Sequence, residues 1–129
     1  MRTNLLVAAT AVVLAGCSAH AGGTAAGSRN LLTADQMIAT GAETVYQAIE
    51  RLRPEWLLSR GPTSLTDSSP TVPSVFVGGS HLGDVEYLRR LRVDDVSLVR
   101  YFEPGEASAR FGMGHPRGVI DVVMKGAHP

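Results

Sequence analysis

Chemistry-bearing side chains are few in this chain of 129 residues and concentrate after residue 74. His81, Asp84, Glu86 and His115 are the residues that could gather around a metal ion, but no pair has the spacing of a helical His-Glu-x-x-His site, and satisfied surface polar groups account for them. Ser80 beside His81 suggests nucleophile and base. A nucleophile elbow, however, needs Gly-x-Ser-x-Gly between strand and helix, and GGSHLG misses it by one position. Asp94 and Asp95 are adjacent, and adjacent side chains on an extended chain point apart, so they read as a turn and cap. The run GMGHPRG (112–118) could cradle a phosphate only if it opened a helix, whereas a strand pattern follows it. Arg89, Arg90, Arg92, Arg100, Arg110 and Arg117 either form one basic face toward lipid phosphates or an acidic partner, or a solvated face balanced by Glu86, Asp94, Asp95, Glu103 and Glu106. No catalytic residue, metal ligand set or cofactor is expected from these patterns. The residues left as candidates for binding are glycines and their neighbours in loops: Gly78, Gly79, Gly112, Gly114, His115 and Arg117.

The elements that position them follow from periodicity. Val96 to Phe102 and Gly118 to Lys125 are rich in β-branched residues and flank an Ala-containing segment closed by glycines, which reads as strand, short helix, strand. Pro104 suits the first turn of that helix, Gly112 and Gly114 its exit, and Val119, Ile120, Val122 and Val123 an interior strand. Upstream, Thr33 caps a helix with Gln36 at the third position, and Leu32 and Met37 bracket the start as a hydrophobic staple. Thr40 and Gly41 interrupt this helix. A second starts at Glu43, with Val45, Ala48, Ile49 and Leu52 at helical spacing, and ends at Pro54. Trp56, Leu57 and Leu58 form a small apolar cluster, with Trp56 anchoring a core edge. Ser59 to Ser74 is a long loop with four prolines and glycines among Ser and Thr, able to close on a partner. Val75 to Val77 forms a short strand running into Gly78 and Gly79. A further helix is expected from Gly83 to Leu91, capped by Asp84, with Val85, Leu88 and Leu91 inward. The expected fold is α+β: a small mixed β-sheet with helices, in the order helix, helix, strand, helix, strand, short helix, strand.

The start of the chain has its own signature. Arg2 precedes an apolar run from Leu5 to Leu14, too short for the roughly 20 residues of a membrane span. Leu14, Ala15, Gly16 and Cys17 then resemble the lipobox of bacterial lipoproteins, whose cysteine receives a diacylglyceryl thioether and becomes the first mature residue. That implies a signal peptide over 1–16, lipidation at Cys17, and a Gly/Ala-rich tether over 17–29. The globular domain is assigned to 30–129. With Ser18 rather than Asp after the cysteine, the resemblance implies the outer membrane, facing the periplasm, where there are two membranes, and otherwise the outer face of the cell membrane. Cleavage after Ala19 or Ala21, giving a soluble exported protein, is the alternative. Cys17 is the only cysteine, so no intramolecular disulfide can form. Formal charge is balanced, which argues against nucleic acid as a partner.

The domain itself resembles the plug domain of TonB-dependent outer-membrane receptors. The likeness rests on Val96, Val99 and Tyr101, then Pro104, Ala107 and Ala109, then Phe111, Gly112, Gly118, Val119, Ile120 and Val122, with GAETVYQAIERLRP as a weaker match near the start. Gly78 stands where plug domains carry an Asp. The chain is too short to contain a receptor barrel, and SAHAGGTAAGSR contains no energy-coupling box. The resemblance therefore implies a free-standing, non-enzymatic plug-like domain that docks to an envelope protein or a ligand. The alternative is an extracytoplasmic binder of a small molecule such as a metal chelate.

Overall fold

The computed structural model describes residues 29–59 and 71–126. The expected signal peptide, the expected lipidation at Cys17, nearly all of the expected tether, the middle of the expected Ser59 to Ser74 loop and the last three residues lie outside the described residues. Within them the fold is α+β, a five-stranded mixed sheet with helices on both faces. The elements are β1 (Leu31–Thr33), α1 (Ala34–Ala39), α2 (Val45–Leu52), β2 (Ser74–Val77), β3 (Ser80–Asp84), β4 (Val96–Phe102), α3 (Pro104–Phe111) and β5 (Val119–Met124). Three short 3₁₀ segments, Pro54–Trp56, Val85–Arg90 and Val93–Asp95, complete the list.

Sheet order is β1-β4-β5-β2-β3. β4 and β5 run antiparallel over Val96↔Met124 to Phe102↔Val119, so the two β-branched runs pair directly, with α3 carrying the connection. β5 pairs with β2 in parallel, Ser74↔Val119 to Val77↔Val122, and thus lies inside the sheet, as its near-continuous apolar sequence requires. β1 and β3 form the edges, each antiparallel to its neighbour.

Because successive strand residues point to opposite faces, the three inner strands β2, β4 and β5 each feed two cores. Val75, Val99, Ile120 and Val122 join Met37, Val45, Ala48, Ile49, Val85 and Leu88 in the larger core under α1, α2 and the 3₁₀ segments. Phe76, Phe102 and Val119 face the other way and pack with Ala107 and Phe111 of α3. Met37, Ile49 and Leu88 are fully buried, each worth about 1.5–3 kcal/mol of hydrophobic transfer.

The helix starts are local chemistry. The Gln36 N–H donates to Thr33 Oγ1 (3.4 Å) and the Thr33 N–H donates to Gln36 Oε1 (3.0 Å), the reciprocal capping box expected from the sequence. α2 is capped by Thr44, and Pro104 opens α3.

Three features differ from the expectation. Leu31–Thr33 forms an edge strand, three residues whose extended shape leads into the Thr33 cap. Ser80–Asp84 forms β3, which completes a hairpin across Gly78 and Gly79; both turn residues have positive φ (57° and 82°), the geometry of a type I′ turn. The expected Gly83 to Leu91 helix is shortened to Val85–Arg90 and wound as 3₁₀, with Asp84 accepting from the Glu86 N–H (3.0 Å). Its inward residues Val85, Leu88 and Leu91 recur every third position, which fits three residues per turn better than 3.6.

Candidate functional site

Parallel pairing of β2 with β5 fixes which loops share an end of the sheet. The α3–β5 loop precedes Val119, and Val119 lies opposite Ser74, the first residue of β2. Gly78 and Gly79 follow the last residue of β2 and therefore lie at the opposite end. The structure thus separates the candidate binding residues: Gly112, Gly114, His115 and Arg117 stay together, while Gly78 and Gly79 serve the β2–β3 turn.

At the first end, the α3–β5 loop holds both flanks of the 59–74 segment. Arg117 Nη2 donates to the Leu58 carbonyl (2.7 Å), before the segment, while His115 Nδ1 and Ser74 Oγ are hydrogen-bonded at 2.8 Å after it. The Ser74 N–H also donates to the Gly118 carbonyl (3.2 Å). Tyr101 O–H donates to the Arg117 carbonyl (2.9 Å), so β4 braces the same loop. Two apolar side chains stand out here: Met113 is 93% exposed and Leu58 59%. β1 begins at this end too, since Leu31 pairs with Arg100 near the end of β4 and the Tyr101 N–H donates to the Asn30 carbonyl (2.9 Å).

Beside the loop lies an open cleft of about 480 Å³ whose lining includes Glu55, Trp56, Tyr101, Glu103 and Arg117. Trp56 stacks on Tyr101 with ring centres 5.6 Å apart, and Trp56 is itself buried. Trp56 is therefore the floor of the cleft and a core residue at once. Arg117 Nε is buried with no hydrogen-bond partner among the described residues.

On the α3 face, His81 and His115 both rest against Phe76, at 5.1 and 5.4 Å between ring centres, and their own rings are 6.0 Å apart. Next to Phe76 in the sheet is Asp121, with Arg100 opposite it on β4. Burial raises the Asp121 pKa above the usual carboxylate range, and the charges of Arg100 and Arg110 only partly oppose it.

The remaining candidates are accounted for separately. Asp84 caps the 3₁₀ segment, Glu86 pairs with Arg89 (2.7 Å), and Asp94 with Arg92 (3.4 Å). Among the described residues no group of three His, Cys, Asp or Glu converges. The six arginines do not form one face: Arg89 lies 3.5 Å from the ring centre of Tyr46 on α2, whereas Arg100 and Arg110 flank the Phe102 ring on the α3 side. GMGHPRG leaves α3 and leads to β5, so it does not open a helix.

The Ser74–His115 bond is the arrangement sequence reading missed, since the two are 41 positions apart. Among the described residues Ser74 is the hydrogen-bond partner of the His115 ring. Among the described residues no helix is long and apolar enough to cross a membrane. No family model matches the chain, and comparison with curated proteins and with solved structures gives no match.

Proposed function

We propose that this is a non-enzymatic, lipid-anchored protein of the cell envelope whose plug-like domain docks to another envelope protein through the α3–β5 end of its sheet. The anchor rests on Leu14-Ala15-Gly16-Cys17 and on the short apolar run before it. The observation that carries the docking reading is the tie between the α3–β5 loop and both sides of the 59–74 segment. Hydrogen bonds from Arg117 to Leu58 and between His115 and Ser74 tie both flanks of the 59–74 segment to the α3–β5 loop, and Leu58 and the loop's Met113 are exposed. Ser18 to Arg29 can span at most about 40 Å, so a partner met at this end lies close to the membrane.

Pull-down from solubilised membranes tests this. Wild type should recover a reproducible partner, and the Met113→Asp and Leu58→Asp variants, altered at exposed positions, should lose it. Absence of a partner, or equal recovery by the double variant, refutes the proposal.

The second reading, a small-molecule binder, is favoured by the cleft over Trp56 and Tyr101. Ligand at 100 times its dissociation constant adds about 2.7 kcal/mol of stability, so a thermal-shift screen separates the two readings.

A further inference from the structure

His81 is an exposed residue of the edge strand β3, and His115 belongs to the α3–β5 loop; Phe76 holds both rings on the same face of the sheet. Two imidazoles bound to one metal ion, with metal–nitrogen bonds of about 2.0 Å, place their ring centres roughly 4.5–6.3 Å apart. The 6.0 Å between His81 and His115 falls within that interval, toward the wide-angle end. The contact of His115 with Ser74 adds a second feature. A metal-bound imidazole donates its other N–H to an oxygen, which fixes tautomer and orientation. With Nδ1 hydrogen-bonded to Ser74 Oγ at 2.8 Å, His115 is left with Nε2 as the nitrogen for a metal.

We propose that His81 and His115 form a two-imidazole site for a borderline divalent transition ion, Cu²⁺ being bound most tightly. Imidazole suits Cu²⁺, Ni²⁺ and Zn²⁺, and affinity along the first row peaks at Cu²⁺. Hydrated Mg²⁺ and Ca²⁺ prefer oxygen ligands and are excluded. With two protein ligands the ion keeps water in its remaining positions, so the site is one of moderate affinity that can accept a further ligand from outside. The site does not depend on the docking reading, since it needs neither Leu58 nor a protein partner.

Full-length protein purified from membranes and stripped of metal is titrated with Cu²⁺ by calorimetry and followed by electron paramagnetic resonance. The expected result is one equivalent bound with moderate affinity and with nitrogen hyperfine structure from imidazole. Ser74→Ala should weaken it by about tenfold, His81→Ala and His115→Ala by more. His20 and His128 are the other two histidines of the sequence, and the His20→Ala/His128→Ala variant should bind as wild type does. His81 is exposed, so an unchanged melting temperature of metal-free His81→Ala separates ligand loss from misfolding. The inference is overturned if His81→Ala retains wild-type affinity, if binding is lost with His20 and His128 instead, or if wild type takes up no ion.

Discussion

Gly118→Ala is the substitution for which the structure gives the sharpest expectation. Gly118 immediately precedes β5 and has φ +81°, and a Cβ built there would collide with the Phe102 carbonyl oxygen while crowding the Tyr101 ring. Positive φ costs a non-glycine residue about 1–2 kcal/mol, and forcing atoms into occupied space typically adds about 1–3 kcal/mol. The obstacle is backbone at the Phe102↔Val119 pair, so relief requires strand β4 or β5 to move. Gly118→Ala should therefore destabilise the fold by about 3 kcal/mol, a large part of the roughly 5–15 kcal/mol available to a domain of about 100 residues. Gly41→Ala is the matched control: φ is +68° but nothing lies within 4 Å of the added Cβ, so only the backbone penalty applies. Urea denaturation of both variants, read by circular dichroism, gives the comparison. If Gly118→Ala costs no more than Gly41→Ala, the close approach of β5 to β4 is wrong.

Two further predictions rest on local chemistry. Thr33→Ala removes the side-chain acceptor of the capping box and should cost about 1 kcal/mol, measured as a lower urea midpoint with unchanged slope; Thr33→Ser should restore most of it. Asp121 has a folded pKa raised by burial, so the folded state binds its proton more tightly than the unfolded state and stability falls as pH rises through the interval between the two values. Asp121→Asn should remove that fall: its stability relative to wild type should grow as pH passes upward from the ordinary carboxylate value of about 4. Urea midpoints of both proteins across pH 3–7 decide it, and a difference that shrinks with pH contradicts the assignment.

Much of the fold could be read from adjacent residues. The Thr33/Gln36 capping box, the break at Thr40 and Gly41, Pro104 at the start of α3, and the strands at 96–102 and 119–124 all depend on neighbours within a few positions, where side-chain type acts on backbone directly. β3 escaped because Ser-His-Leu-Gly-Asp has little strand propensity. It is extended because the Gly78–Gly79 turn returns it to the edge of β2. β1 escaped because three residues carry no periodicity.

The surface that carries the proposals belongs to the second kind of information. Sequence alone determined that the 112–118 run leaves a helix and that His81, His115 and Arg117 stand in or beside turns. Whether these meet depends on the sheet order and on β2 running parallel to β5, which bring Ser74 level with Val119 and send Gly78 and Gly79 to the far end. Strand order is set by how the two apolar faces are jointly buried against helices on either side, an energy shared among residues dozens of positions apart. No single stretch encodes that sum, so the Ser74–His115 bond, the pairing of the two histidines over Phe76 and the placement of Asp121 between Phe76 and Arg100 exist only once the chain has folded.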